Sequence, residues 1–354
     1  MSRAVPEITA IDPKRASDAD FERLAVLRNI LLTESRPDDP PSSAEDVKLR
    51  LLNIPPVFEF HGWVTQEGSE FVGEASVVIP HMETNQHICQ FDIAVHPDHR
   101  RHSIGTALLG KIVPIAERDG RNLLVGETRS TVPPGEEFME AIGATIGLAT
   151  HANDLRVADL NRDLIRDWLD RAPDRAVGFR LVEWIGRYPD DQIEAVVKMM
   201  ESINLMPTDD LKIEDFHWTP EQVRQMDDAM EAQGMERWTI VAVEESTGRL
   251  AGYSELLFNP RKPTLADQGA TAVFSEYQNR GLGRWLKAAM LEKLVTERSA
   301  VERIRTGNAH SNAPMLKIND ELGFKPSMTT KYWQAELPKV QEYLASRAVA
   351  VTVA

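Results

Sequence analysis

The sequence predicts an α/β (α+β) protein made of two tandem copies of one domain, each a mixed central sheet flanked by helices. Three observations carry this. First, "IAVHPDHRRHSIGTALL" (93–109) is similar to "TAVFSEYQNRGLGRWLK" (271–287), with Val95 opposite Val273, Arg100 opposite Gln278, Gly105 opposite Gly283 and Leu108 opposite Leu286, each at an offset of 178. Second, Gly143 stands opposite Gly323 at an offset of 180, and both copies then run Ala–acid–Leu (158–160 and 335–337) into a closing helix. Third, the offset is close to half of the 354 residues. That period is far too long for a solenoid, so each copy should carry its own core. Domains 1–174 and 175–354 follow, divided before "VGFRLVEWIG".

The second copy is the more legible. "FRLVEW" (179–184) alternates as a strand, and "DQIEAVVKMMESIN" and "TPEQVRQMDDAMEAQG" read as helices. Thr219 supplies an N-cap to the latter and Pro220 its first helical residue. "WTIVAVEE" and "RLAGYSELLF" flank the turn "STG", a strand–turn–strand signal. "GATAVF" is a further short strand. The helix from 281 puts Leu282, Trp285, Leu286, Ala289, Met290 and Leu294 on one face. "VERIRTGN" reads as a strand, "APMLKINDELGF" as a helix closed by Gly323, and "TTKYWQAEL" as the last strand. The order β-α-α-β-β-β-α-β-α-β predicts helices covering a central sheet.

Bulk properties narrow the function. No run of about 18 apolar residues is present, so no membrane span is expected. The start "MSRAVPEITAIDPKR" lacks a signal-peptide core, and one cysteine, Cys89, forms no internal disulfide; cytoplasmic residence is the simplest reading. The net charge of −15 disfavours nucleic acid and anionic membrane as partners and suits a cationic small substrate such as an amine. His96, His99 and His102 are spaced by three in a loop without a fourth ligand or a Cys or HExxH pattern, so no metal is expected. "ESRPDDPPSS" (34–43) reads as a surface loop, and Met199, Met200, Met226, Met230 and Met235 as core or channel lining. The apolar "AVAVTVA" (348–354) reads as an extra strand or a dimer contact, or its carboxylate reaches a site; a monomer or homodimer is expected.

The chemistry concentrates at Gln278-Asn279-Arg280-Gly281-Leu282-Gly283. The string GxxxxGK[ST] is absent, and a GxGxxG fingerprint fails at Leu286 with no acid on a following strand. What remains is [Q/R]-x-x-G-x-[G/A] between a strand and a helix. The first turn of a helix offers free N–H groups and a positive dipole end. Glycines let that backbone approach a polyanion closely, so a pyrophosphate fits there, with Arg280 and Arg284 at the rim. A glycine-tolerant helix start is the bland alternative.

A second motif, "TGNAHSNAPMLKINDELGFKP" (306–326), follows. With it, the sequence resembles the GCN5-related N-acetyltransferase family, most strongly over 249–326, where "GYSEL", "YQNRGLG", "TGNAHSNAPM" and "NDELGF" occur in order. Tandem members such as mycothiol synthase are of similar build. The resemblance implies acyl transfer from acetyl-CoA, as co-substrate, to an amine. Backbone amides from Gln278 through Arg284 would hold the CoA pyrophosphate. Val273 would bond the pantetheine arm, and Asn308 and Asn312 would contact CoA. Many members carry a tyrosine where this chain has Asn319, so the departing thiolate would leave unaided or take a proton from Tyr253 or water; Asn319 can donate a hydrogen bond but not a proton.

Amine acylation needs proximity, a base and oxyanion stabilisation. Glu255 is the candidate base, acting through a water, with Tyr253 on the same strand face; a structural acid or an ammonium anchor are the other readings. The first copy lacks this set: Ser76 stands opposite Glu255, Ser130 opposite Asn308, Val132 opposite Asn312 and Met139 opposite Asn319. It reads as degenerate in catalysis, with a possible second CoA site at Val95, Arg100, Arg101, Ser103, Gly105 and Thr106. Acceptor contacts are expected from 30–55 and 200–235. The alternatives are an acetyltransferase that inactivates an antibiotic or other toxic amine, and a CoA-binding module without catalysis.

Overall fold

The structure is a computed structural model describing residues 6–352; Met1–Val5 and the last two residues, parts of the terminal stretches read above, lie outside the described residues. In the first half of the chain, β1 (Ile8–Ile11) leads to α1 (Asp18–Ser35), α2 (Ala44–Leu52), β2 (Phe58–Glu67), β3 (Glu70–Pro80) and β4 (Ile88–Val95). Then come α3 (Ile104–Arg118), β5 (Leu123–Arg129), α4 (Pro133–Ala141), β6 (Thr145–Arg156) and α5 (Arg162–Arg175). The second half repeats the order with β7 (Phe179–Ile185), α6 (Ile193–Met200), α7 (Pro220–Ala232), β8 (Glu236–Glu244), β9 (Leu250–Phe258) and β10 (Leu265–Val273). It closes with α8 (Leu282–Glu297), β11 (Arg303–Ala309), α9 (Ala313–Leu322), β12 (Lys325–Glu336) and α10 (Leu337–Thr352). The helix starts are specified locally. Ser17 with Asp20, Ser43 with Asp46 and Thr219 with Gln222 form reciprocal capping boxes. Gly323, at φ +99°, ends α9 in a left-handed turn. The tail expected as a strand is helical to Thr352.

The two compact units are not the two halves of the sequence. Unit 1 comprises Met1–Ala149, Thr208–Glu214 and Thr329–Ala354; unit 2 comprises Thr150–Pro207 and Asp215–Met328. In unit 1 the sheet runs β1-β2-β3-β4-β5-β12, with Thr330–Glu336 antiparallel to Arg129–Leu123. In unit 2 it runs β7-β8-β9-β10-β11-β6, with Arg303–Ala309 antiparallel to Arg156–Thr150. Each half therefore gives up its last strand to the other half's sheet. The division expected at 174/175 falls inside unit 2, because ladder hydrogen bonds tie 150–156 to β11.

Side chains follow the backbone. Trp333, 3% exposed, joins the core of unit 1 beside Leu108, Leu109 and Ile112, and its Nε1 donates to Thr128 Oγ1 at 2.7 Å. Leu155 and Trp168, from the first half, join the core of unit 2 with Leu286, Met290 and Ile304. Helix α8 is covered by the sheet on one side and by α5 on another. Its buried set is accordingly Leu282, Leu286, Lys287, Ala288, Met290, Leu291 and Leu294, and the expected Trp285 and Ala289 are only partly buried.

Candidate active site

In unit 2, β10 and β11 are parallel neighbours only over Leu265–Asp267 and Arg303–Arg305. Beyond Gln268 the register of β10 against β9 shifts. Residues 306–309 keep their partners in β6, so a gap opens between the far parts of β10 and β11. A Cβ placed on Gly307 would meet nothing within 4 Å. Unit 1 repeats the arrangement, with β4 and β5 paired only at Ile88–Gln90 and Leu123–Val125.

Helix α8 begins at the mouth of that gap. Asn279 (φ 63°) and Gly281 (φ +79°) are left-handed, and the cap residue makes no side-chain capping bond. The first helical hydrogen bond runs from the Trp285 N–H to the Gly281 carbonyl, so the amides of Leu282, Gly283 and Arg284 precede it and point out of the helix end. Leu282 buries its side chain and offers only its backbone. Gln278 differs from expectation: its amide closes the preceding turn onto Ser275 at 3.4 Å, and its Nε2 donates to the Val273 carbonyl at 3.4 Å. It braces the loop rather than lending an N–H. Arg284 is tied to Glu321 at 3.0 Å, and Arg280 lies over Phe179, 5.6 Å from the ring centroid. Asn312 caps α9 by accepting from the Met315 N–H at 3.4 Å. An uncapped helix end over a sheet gap fits an extended chain ending in a pyrophosphate.

Unit 1 keeps the same backbone with different residues. Arg101 (φ 64°) and Ser103 (φ 61°) occupy the left-handed positions, and Ser103, a good capping residue elsewhere, makes no side-chain cap. Arg100 Nε donates to the Val95 carbonyl at 3.1 Å, as Gln278 does to Val273, and its guanidinium grips Glu34. Arg101 pairs with Glu137, and Thr106 Oγ1 bonds the Tyr343 hydroxyl at 3.0 Å. Of the loop histidines, His99 pairs with Glu67 at 2.9 Å and His96 Nδ1 accepts from the Asp98 N–H.

On the α6–α7 face of unit 2, Glu255 Oε1 accepts from the Tyr188 hydroxyl at 2.5 Å and from Thr239 Oγ1 at 3.0 Å. Arg237 Nε is 4.0 Å away, and the Glu255 side chain is 15% exposed. Burial raises the Glu255 carboxyl above the usual range, against the lowering pull of Arg237 and the two hydrogen bonds. Arg237 is itself anchored by Asp227 at 2.5 Å and lies over the Tyr188 ring. Tyr253 is buried, bonds Ser202 Oγ at 3.0 Å, and is pushed up by burial and by Glu255; it holds its proton tightly.

On the α8–α9 face, Asn319 is joined to a group that sequence reading missed. Lys287 Nζ donates to Asn319 Oδ1 at 2.6 Å, and Asn319 Nδ2 donates to Asn308 Oδ1 at 2.6 Å. Lys287 is 1% exposed and Asn319 2%; Asn308, on the splayed part of β11, is half-buried. Burial lowers the Lys287 ammonium to about 7. The available signal was a lysine four residues after Gly283 and four before Leu291, on an otherwise apolar stripe. Tyr188, Thr239 and Arg237 carried no readable signal. Among the described residues, no group of three or more His, Cys, Asp or Glu is placed to hold a metal, and no helix is long and apolar enough to cross a membrane.

Residues 59–143 match a family model described as an acetyltransferase (GNAT) domain, and residues 203–324 one described as the acetyltransferase (GNAT) family. Together they span more than half the chain, and each stops short of the exchanged strand. No protein of curated function matches the sequence. Among solved structures, a tandem GNAT protein from the clavulanic acid biosynthesis pathway is similar, at 24% identity and TM-score 0.78 over 94% of this chain and 98% of that one. A GCN5-related N-acetyltransferase from Sphaerobacter thermophilus is similar at 17% identity and TM-score 0.65, over 94% of this chain and 97% of that one. The N-myristoyltransferase of Saccharomyces cerevisiae shares the fold at 12% identity and TM-score 0.59, over 94% and 80%.

Proposed function

We propose, for a chain that belongs to the GCN5-related N-acetyltransferase family and carries its fold twice, that unit 2 moves an acetyl or other short acyl group from CoA to the amine of a small molecule. Acetyl-CoA, when bound, supplies the acyl group and leaves as the thiol. The amides of Asn279 through Arg284 hold its pyrophosphate, and Val273 and Asn312 flank its arm in the gap. Glu255 takes the proton that the acceptor ammonium loses, directly or through a water. The amine nitrogen then forms the C–N bond as the C–S bond breaks, with sulfur keeping the electron pair, and the second proton shed by the nitrogen passes to water, from which the departed sulfur takes one to become the thiol. Glu255 lies on the face of α6 and α7, and Asn308 and Asn319 on the face of α8 and α9. The gap between β10 and β11 is open to both, so base and leaving group sit on opposite sides.

The observation that carries this reading is Glu255, half-buried and raised by desolvation, in the same unit as an open, uncapped helix end. The acid net charge of −15 favours a cationic acceptor. Unit 1 holds CoA at Val95, Arg100, Arg101, Ser103, Gly105 and Thr106 without turnover, since Ser76 offers no base. Thiol release from acetyl-CoA across a panel of amines tests the whole. Glu255→Gln is expected to lower kcat by about 10²–10⁴ with the KM for acetyl-CoA little changed, and Ser76→Ala to change nothing. Absence of thiol release with any amine, together with absence of CoA binding, overturns it.

A further inference from the structure

The chain Lys287–Asn319–Asn308 has a direction imposed by chemistry. An ammonium carries only donors, so Asn319 must turn its carbonyl oxygen to Lys287 and its NH₂ to Asn308. Asn308 must in turn present its oxygen to Asn319, which leaves its own NH₂ as the outer donor. One buried cation thereby fixes both amides, and each bond polarises the next. The outer end lies on β11 past Arg305, the last residue of that strand paired with β10, where the gap opens. Among the described residues no carboxylate is found to compensate the ammonium: burial is the cause of its lowered affinity for protons, and the Phe324 ring lies 5.1 Å from it. An uncompensated buried cation is costly to keep. In unit 1 the equivalent residues are Leu109 and Met139, both buried and apolar, so the fold does not require the charge.

We infer that Lys287, acting through Asn319 and Asn308, stabilises the sulfur anion released from CoA in unit 2. Lys287 is a positioning residue: it touches neither substrate, and its field reaches the sulfur through two oriented amides. Asn308 is the donor that meets the sulfur. A chain without a tyrosine at 319 in this way replaces a proton donor by a charge-backed hydrogen bond. The inference rests on unit 2 binding CoA as proposed above.

The test compares CoA with desulfo-CoA on the full-length protein, by calorimetry, together with the ultraviolet thiolate absorbance of bound CoA across pH. Wild type should bind CoA about tenfold more tightly than desulfo-CoA at mildly alkaline pH, where the bound thiolate holds the proton on Lys287, with the bound thiol titrating about one unit below that of free CoA. Lys287→Met should abolish both differences, leave desulfo-CoA affinity unchanged, and lower kcat without raising the KM for acetyl-CoA. If that variant does not fold, Asn308→Ala, at a half-buried position, should give the same loss. Wild type that binds both ligands equally, with an unshifted thiol, overturns the inference while leaving the proposed reaction standing. So does equal weakening of both ligands by Lys287→Met. Wild type that binds neither ligand removes the proposed reaction itself.

Discussion

Beneath the left-handed turn of unit 1, α3 presents Leu109 and α4 presents Met139, both buried among apolar neighbours. Beneath the same turn of unit 2, α8 presents Lys287 and α9 presents Asn319, joined by a 2.6 Å hydrogen bond. The backbones agree down to the positive φ angles at 101 and 103 against 279 and 281. The difference teaches that the loop shape belongs to the fold, and that the polar chain is an addition specific to one unit. Glu255 against Ser76 tells the same story on the opposite face.

The comparison can be broken most severely through the exchanged strands. Trp333 belongs to the second half of the sequence but to the core of unit 1, where the single cysteine, Cys89, is fully buried and its thiol pushed up to about 12 by burial. Trp333→Ala should cost unit 1 about 3–5 kcal/mol and speed thiol labelling of Cys89 by about 10²–10⁴ under native conditions. Trp168→Ala, in the first half of the sequence but in the core of unit 2, should leave Cys89 labelling unchanged. The opposite pattern would show that the halves fold without exchange.

A smaller effect separates Lys287 from Leu109. The folded-state pKa of Lys287 is depressed from 10.5 to about 7. Its contribution to stability is therefore present above pH 10.5 and lost as pH falls through that window toward 7. Lys287→Met should raise the melting temperature of unit 2 at pH 7, with the gain shrinking as pH rises toward 10.5; Leu109→Met should show no such pH dependence. A gain that is constant with pH would mean the buried lysine keeps its proton as firmly as in the unfolded chain. That stability gain would accompany lower turnover, a trade common where a site keeps a costly group.

The smallest effect concerns the loop itself. Ser103→Gly relieves a left-handed non-glycine residue worth about 1–2 kcal/mol but frees the unfolded chain by about 0.5–1 kcal/mol. Unit 1 should gain at most about 1.5 kcal/mol in denaturant unfolding, as the difference of these two effects. Gly281→Val, at φ +79°, should lose stability and CoA affinity together. A Ser103→Gly variant that is less stable than wild type would mean the serine hydroxyl supports the turn after all.

The element order, the repeat and the glycine loop were legible because they depend on local rules: alternation, helical spacing, N-caps and left-handed turns act over a few residues. Glu255 and Asn319 were legible as positions in a motif, yet their partners were not. Tyr188 lies after β7 whereas Arg237 and Thr239 lie on β8, and only folding brings these two places to one carboxylate. Lys287 sat in view on an apolar stripe, but whether a lysine reaches solvent or stays inside depends on what folds against it, here Asn319 of α9 and Phe324. The exchange of β6 and β12 was invisible for a related reason. The two strands are equivalent in pattern, so either can complete either sheet, and the choice between them rests on long-range packing that no local signal encodes.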